Sequence, residues 1–384
     1  MVTRRVDATK RLRAVQASGS PQELIESLDD PSPEVARAAI ARLVELESQH
    51  AAAPLRRRLL DVDLSLVADI ATALRRIGDR EAVELAMAAL SDERYSRRLA
   101  AVRALGALGD GRAAESLETM LGDDVAGVRA AALDAMAQLR GPGAVDAADC
   151  ARLLSDAVPH VRIAAVRALA RLVTHPGDVL APAAEDEDRL VRLEVAQHAA
   201  RLPEHAAHAL LADPDLRVRE AAARAAGIRD LGALSLLLMD DPAGDVRRAS
   251  AHALGSMRDQ RVADVLIVGL EDRDALVRAA VLHALAELLS RDGAVRRLCE
   301  ALDCERPARR RAVVYALARL RAREVTPELA RLADDPDPDV RLALIHSADA
   351  FYDEPEHVMR YLAADPDIGV RQAAETWLLR AKRP

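Results

Sequence analysis

A short pattern of apolar residues returns twelve times along this chain of 384 residues. In one copy, offsets 0, +3, +4, +7 and +8 are occupied by Val161, Ala164, Ala165, Ala168 and Leu169. This spacing places all five side chains on one face of an α-helix. The residue at offset 0 is called the anchor, and successive anchors are 27 to 33 residues apart. The anchors are Val35, Leu66, Arg97, Val128, Val161, Val191, Val218, Val246, Val277, Arg309, Val340 and Val370.

A pattern that repeats at this interval predicts an array of stacked helical units, because each unit of such an array contacts only its neighbours. We therefore expect one elongated domain over residues 20–384, preceded by a capping helix over residues 1–19. The chain is 51% hydrophobic but only 2% aromatic. Its core must therefore be built mainly from Ala, Leu and Val, whose small side chains let helices pack closely.

Each unit is predicted to contain two helices joined by an acidic turn. The first helix is short and apolar, as in residues 22–28, and the turn contains Asp and Pro, as in residues 29–33. Asp caps the free N–H groups of the following helix, and Pro stops the preceding one. Arg97 and Arg309 replace the apolar anchor, so we expect their second helices to begin differently. Shorter spacings near Val218 predict a change of curvature there.

The acidic turn is followed by Val-Arg in several units, for example at residues 213–219, 335–341 and 365–371. This pattern resembles the HEAT repeat, specifically the short subtype found in phycobilin lyase subunits and many bacterial proteins. The resemblance implies an all-α fold, a right-handed α-solenoid of about twelve helix pairs whose second helices line the concave side.

The same resemblance implies a structural ladder, in which the Arg after the anchor pairs with turn aspartates and fixes the orientation of neighbouring repeats. The first two units have Ala36 and Val67 at this position. Ladder arginines are present in the other ten units, at Arg98, Arg129, Arg162, Arg192, Arg219, Arg247, Arg278, Arg310, Arg341 and Arg371.

Offsets +2, +6 and +9 are predicted to face away from the core and to line the concave side. At +6, four consecutive units carry His252, His283, Tyr315 and His346. Because adjacent repeats stack about 10 Å apart, we expect these imidazoles to be too distant to share a metal ion. They would instead form a strip that contacts an extended partner and becomes positive as the pH falls.

The predicted partner contacts therefore combine this strip with arginines at the same offset in other units. The alternative is that these side chains are ordinary solvated surface. The candidate contacts are Arg103, Arg167, Arg224, His252, His283, Tyr315 and His346.

The two ends of the chain differ in composition from the middle. The first helix is basic, with Arg4 and Arg5, and is interpreted as a cap or, alternatively, as an arm for an acidic partner. Aromatic residues concentrate in the last 34 positions. They are interpreted as a C-terminal cap, or alternatively as a contact surface for a partner. They are Phe351, Tyr352, Tyr361 and Trp377.

The sequence gives little support for an enzymatic or a metal-binding function. HEAT-like deoxyhypusine hydroxylases carry His-Glu dyads for a di-iron centre, and no His-Glu dipeptide occurs here. HEAT-like alkylpurine DNA glycosylases use a strongly basic groove, whereas the net charge here is −8. His205 and His208 alone form a weak zinc motif. We therefore predict no enzyme activity, no cofactor and no metal.

The net charge of −8 argues against a protein whose main function is to bind nucleic acid. No apolar run reaches 18 residues, the N-terminus lacks the pattern of a secretion signal, and three scattered cysteines fit a reducing cytoplasm. The predicted function is a non-catalytic scaffold or adaptor that binds an acidic protein or extended peptide on its concave face. One alternative is a nucleic-acid-associated protein that uses concave arginines. A second is an accessory subunit of a cofactor- or chromophore-attachment system.

Overall fold

The computed structural model describes residues 2–46, 49–60, 64–139 and 146–381, with side chains from residue 8 onward. These residues lie in helices and turns, and no strand occurs among them. The side chains of Arg4 and Arg5, which the predicted basic arm would use, lie outside the described part. The chain divides into two units, Met1–Val195 and Ala196–Pro384, which are described separately.

The first unit alternates short first helices with longer second helices that carry the anchors. Helix α1 (Val2–Ala17) packs against α3 (Pro33–Glu45), and Val15 of α1 is buried. Several first helices end in a 3₁₀ turn, such as Ser27–Asp29 after α2 (Pro21–Glu26). The helices are α1 (Val2–Ala17), α2 (Pro21–Glu26), α3 (Pro33–Glu45), α4 (Ala52–Arg58), α5 (Val67–Ile77), α6 (Glu81–Ala88), α7 (Tyr95–Leu108), α8 (Ala114–Thr119), α9 (Ala126–Met136), α10 (Ala147–Arg152), α11 (Pro159–Leu172), α12 (Gly177–Leu180) and α13 (Arg189–Ala196).

The second unit continues the same alternation. Within α19 (Ala275–Ala301), Ser290 has a φ of 65° and separates the second helix of one repeat from the first helix of the next. No helix in the described part of the chain is both long and apolar enough to span a bilayer. The helices are α14 (Glu204–Leu211), α15 (Leu216–Ala225), α16 (Leu231–Asp240), α17 (Gly244–Ser256), α18 (Val262–Gly269), α19 (Ala275–Ala301), α20 (Pro307–Arg319), α21 (Thr326–Ala330), α22 (Pro338–Phe351), α23 (Glu356–Leu362) and α24 (Ile368–Ala381).

Second helices begin two residues before the anchor in eleven of the twelve repeats. These include α7 and α20, so the expectation that Arg97 and Arg309 alter the start of their helices is wrong. Arg97 keeps a partly exposed position and pairs with Asp92 at 3.1 Å. Arg309 is also partly exposed and pairs with Glu271 at 2.8 Å. The exception is α5, which begins one residue after its anchor, Leu66.

The anchor face of the second helices forms the core. In α11, for example, Val161 and Leu169 are fully buried. Offset +9 does not always face outward as expected, because Gly106 and Gly255 are buried there. A Cβ on Gly255 would lie 2.7 Å from the Cα of Ala284 in the next second helix. Neighbouring second helices therefore approach so closely that only glycine fits at this point.

In ten of the described turns, an aspartate five residues before the anchor accepts a hydrogen bond from the amide two residues further on. In the turn before α19, Asp272 Oδ1 accepts a hydrogen bond from the amide of Asp274 at 2.7 Å, which orders the turn. The same carboxylate accepts from Arg247 of the preceding repeat, with Nε to Oδ2 at 2.6 Å and Nη2 to Oδ1 at 3.0 Å. Arg247 Nη1 donates to the carbonyl of Asp241 at 2.8 Å. Each such arginine thus ties its own turn to the next turn along the chain.

This bidentate arrangement recurs in both units with heavy-atom distances of 2.6 to 2.8 Å for the shortest contact. The hydrogen bonds to Asp272 raise the pKa of Arg247, against the opposing effect of burial. In the first unit the pairs are Arg98–Asp123, Arg129–Asp156 and Arg162–Asp186. In the second unit they are Arg219–Asp241, Arg247–Asp272, Arg310–Asp335 and Arg341–Asp365.

The three remaining ladder arginines keep the contact with their own turn. Arg192 Nη1 donates to the carbonyl of Asp186 at 2.8 Å, and Arg371 Nη1, in the last repeat, donates to that of Asp365 at 2.6 Å. Arg278 Nη1 donates to the carbonyl of Asp272 at 2.7 Å, but Arg278 has no carboxylate partner among the described residues. The reason is that Cys304 takes the place of the next turn aspartate.

Removing one ladder carboxylate should destabilise the fold strongly, because it leaves a buried guanidinium without its counter-charge. The Arg247 and Asp272 side chains are 5% and 7% exposed. We expect Asp272→Ala to cost about 3 kcal/mol, in the range measured for broken buried pairs. The midpoint of thermal unfolding, followed by circular dichroism, measures the effect.

The matched control is Asp245→Ala, which removes the carboxylate of a more exposed pair with Arg248 at 2.8 Å. Exposed pairs contribute about 0 to 1 kcal/mol, so the midpoint of thermal unfolding of this variant should be close to that of the parent chain. Equal midpoints for the two variants would contradict the structural role assigned to the ladder.

Candidate functional site

The candidate contact residues at offset +6 are all exposed. They lie on the sides of the second helices that point away from the anchor face. The first unit carries Arg103 and Arg167, and the second unit carries Arg224, His252, His283, Tyr315 and His346.

His252 and His283 lie closer together than the sequence suggested. Their ring centroids are 6.0 Å apart, and the planes meet at 71° in an edge-to-face arrangement. The expected separation of about 10 Å is correct for helix axes, but it ignores the lateral reach of two side chains that lean toward each other. The two imidazoles therefore form a contact pair rather than isolated sites.

Tyr315 and His346 form a second pair. The Tyr315 hydroxyl lies 3.4 Å from His346 Nδ1, at the long end of hydrogen-bonding distance. Burial raises the pKa of Tyr315, so its hydroxyl stays neutral and keeps its proton for donation. The tyrosine is 40% exposed, which leaves part of the ring available to another molecule. The strip predicted from the sequence is thus built from two neighbouring pairs.

The local field keeps His252 neutral at physiological pH. Burial lowers the pKa of His252, and the neighbouring His283, Arg248 and Arg224 lower it further, whereas Glu287 raises it. Glu287 also lies close to His283, with Oε1 3.5 Å from Nε2. Protonation of His252, which would make the strip positive, therefore requires a lower pH than an ordinary histidine does.

Two of the candidate arginines are already paired with glutamates. In the first unit, Arg167 Nε lies 3.3 Å from Glu194 Oε1. In the second unit, Arg224 Nη2 lies 2.5 Å from Glu220 Oε1, although the arginine side chain remains 64% exposed. Both guanidiniums are therefore partly neutralised. Within each unit, the charge around these +6 positions is therefore mixed rather than uniformly basic.

A pocket of about 590 Å³ opens beside the second pair, between α19, α20 and α22 of the second unit. Its apolar wall includes Leu270 and Leu282. Its volume falls within the range of about 300 to 1,000 Å³ typical of ligand sites. Its polar lining consists of Arg278, Tyr315, Arg319, His346, Ser347 and Asp349.

Sequence reasoning grouped Arg278 with the structural ladder and did not identify this pocket. The available signal was at the position five residues before each anchor, which is Asp in eleven repeats and Cys304 in one. A second signal was Ser347 at offset +7, a position occupied by Ala in eight other repeats. Ser347 is 6% exposed and lines the pocket.

The C-terminal aromatic residues do not form one surface. Phe351 and Tyr352 are buried, whereas Tyr361 is exposed and donates its hydroxyl to Asp334 at 2.5 Å. Trp377 is partly buried in α24. The aromatic cluster is therefore divided between core packing and surface.

Two other groups of polar residues were considered in the sequence, namely the histidines around His208 and the cysteines. His208 Nε2 lies 3.7 Å from Asp230 Oδ1, and no group of three metal-type side chains is found across the described ranges. The cysteines are free thiols, and burial raises the pKa of Cys150 and of Cys299 to about 11. Both thiols are therefore poor nucleophiles at neutral pH.

Comparison with solved structures supports the fold. Importin beta, crystallised in an ammonium sulfate condition, is 16% identical and superposes with a TM-score of 0.51. The match covers 93% of this chain and 60% of the importin beta chain. An engineered protein is 18% identical, with 94% and 99% of the two chains covered, but its TM-score of 0.33 carries no argument. None of the curated proteins matches this sequence.

Matches to models of protein families give more direct evidence about the family. The model described as HEAT repeats matches residues 66–137, 231–303 and 295–378, which together make up more than half of the chain. The model described as HEAT repeat matches residues 150–175. With the paired helices described above, these matches identify the architecture as an α-solenoid, and the chain belongs to the HEAT-repeat family.

Proposed function

We propose that this protein is a non-catalytic scaffold or adaptor whose second-helix face binds an acidic protein or an extended peptide. The binding surface in the second unit is centred on His252, His283, Tyr315 and His346. HEAT-repeat solenoids typically serve as scaffolds or adaptors, and this family membership supports the general class. The specific surface is our inference from the contacts of the strip.

The observation that carries the proposal is the run of four exposed ring side chains on four successive second helices. Rings have few rotatable bonds, so binding costs them little conformational entropy. The helices fix their spacing before a ligand arrives, which lowers the ordering cost of binding an extended segment. Imidazole and phenol groups also donate hydrogen bonds to carboxylates and peptide carbonyls.

In the first unit, Arg103 and Arg167 are proposed as further contacts for acidic side chains. A nucleic-acid ligand is less well supported, because Arg167 and Arg224 already share their charge with glutamates. An accessory role in cofactor or chromophore attachment would follow from membership of the short bacterial subtype, which stays a prediction. Free thiols at all three cysteines fit our proposal of a cytoplasmic protein.

Removing the four ring side chains should weaken binding. Peptides are first selected from a random display library on the immobilised full chain, and their Kd values are measured by fluorescence anisotropy. The variant His252→Ala/His283→Ala/Tyr315→Ala/His346→Ala is expected to raise Kd at least about tenfold, equivalent to about 1.4 kcal/mol. All four positions are exposed, so the fold should be retained.

The control variant is His205→Ala/Arg296→Ala, which changes exposed residues of first helices in the same unit. It should bind the selected peptides like the parent chain. The proposal fails if the library yields no binding peptide, or if the four-residue variant keeps the parent Kd.

Binding of the acidic peptides should strengthen as the pH falls. Burial holds the pKa of His252 below 6.5, so the side chain is neutral at pH 7 and gains its charge only on further acidification. The extra attraction therefore appears below about pH 6.5 and grows as the pH decreases toward 5. Kd measured between pH 7.5 and pH 5 should fall over this range.

His252→Gln is the control for this titration, because glutamine keeps a polar side chain but cannot gain a proton. Its Kd should change less with pH than that of the parent chain, with His283, Glu287, Arg248 and Arg224 left in place around it. Identical pH profiles for the two proteins would rule out His252 as the titrating contact.

A further inference from the structure

The pocket between α19, α20 and α22 contains an arginine that the ladder leaves without a carboxylate. In seven other repeats, Nε and Nη2 of the ladder arginine both donate to the aspartate of the next turn. Arg278 makes only the main-chain half of this pattern, with Nη1 on the carbonyls of Asp272 and Arg273. No carboxylate accepts from it within the described residues, and its side chain lines the pocket.

The cause lies in one substitution in the following turn. Cys304 keeps the main-chain role of the turn, since its carbonyl accepts from Arg310 Nη1 at 2.8 Å as the aspartate carbonyls do elsewhere. Its thiol cannot replace the two oxygen acceptors of an aspartate. The guanidinium fork that elsewhere holds a carboxylate of the chain is thus free for a carboxylate of another molecule.

The remaining lining of the pocket suits the same ligand. Arg319 is exposed and forms no ion pair in the described part of the chain, and Ser347 and Tyr315 provide hydroxyl donors. Two arginines face a single carboxylate of the lining, that of Asp349, so the pocket favours an anion. Leu270 and Leu282 form an apolar wall against which an aliphatic group can pack.

We propose that this pocket binds an acidic side chain of a partner peptide, held by Arg278, together with a neighbouring aliphatic side chain. The proposal rests on the peptide-binding function proposed above, because the pocket shares Tyr315 and His346 with the strip. It adds a specificity that the strip alone does not provide. An extended peptide crossing the strip would be held in register by one Glu or Asp and an adjacent aliphatic residue.

A short probe separates the pocket from the rest of the strip. N-acetyl-Glu-Val-amide is too short to span several repeats, which stack about 10 Å apart. Saturation-transfer NMR should detect its binding to the full chain and a response at least tenfold weaker for N-acetyl-Gln-Val-amide. N-acetyl-Gln-Val with a free terminal carboxylate tests a chain end as the source of the anion. If this peptide binds better than the Glu probe, the proposed internal acidic residue is wrong.

Two variants test Arg278 directly. Arg278→Gln should raise the Kd of the Glu probe at least tenfold. It should lower the thermal midpoint less than Asp272→Ala does, because Arg278 is exposed, has no carboxylate partner in the described residues and loses only its bonds to the carbonyls of Asp272 and Arg273. Cys304→Asp restores the missing turn carboxylate. It should draw Arg278 into the ladder, raise the thermal midpoint and weaken probe binding in the same protein. Arg331→Gln, at an exposed position in the 3₁₀ turn after α21, is the control and should bind normally.

The outcomes distinguish the two proposals. If long selected peptides bind and lose affinity in the four-residue strip variant, but Arg278→Gln and Cys304→Asp leave binding of the Glu probe unchanged, the pocket proposal is overturned and the proposed function stands. If the Glu probe binds through Arg278 but selected peptides ignore the strip, the pocket stands and the strip is wrong. Equal responses to the Glu and Gln probes also overturn the pocket proposal.

Discussion

The Arg–Asp contact between successive turns is the interaction that sets the geometry of the repeats. One guanidinium holds the carbonyl of its own turn and the carboxylate of the next, as Arg247 does with Asp241 and Asp272. Because the guanidinium is planar and its donors are fixed, it specifies orientation as well as distance. Alanine-rich helices offer few large side chains to interlock. The buried polar contact supplies the specificity that such a core lacks.

The period of the apolar pattern was sufficient to predict the helix pairs and their register. It succeeded because the anchor face is defined by backbone geometry, which repeats from unit to unit. It failed at offset +9, where Gly106 and Gly255 are buried, since close helix packing depends on residue size rather than on periodicity. It also failed for His252 and His283, whose contact depends on rotamers that a sequence pattern does not contain. A periodic sequence therefore predicts positions better than contacts.

The pocket illustrates a different limit. Arg278 looks like every other ladder arginine in the sequence, and only its missing partner distinguishes it. The partner position becomes visible once the structure reveals that the aspartate lies five residues before the next anchor. With that offset known, Cys304 stands out as the single exception among twelve repeats. Departures from a repeat's own consensus are therefore informative when the contact that maintains the consensus is known.

The missing carboxylate contact at Arg278 costs stability, and this cost argues that the exception serves a function. A guanidinium without its carboxylate gives up a bidentate hydrogen bond that seven other repeats retain. Natural sequences tend to break a local rule where function requires it. Here the exception at Cys304 and the exception at Ser347 belong to different repeats, yet Arg278 and Ser347 line the same pocket. Two independent deviations that converge on one cavity favour selection for a ligand over random drift from the repeat pattern.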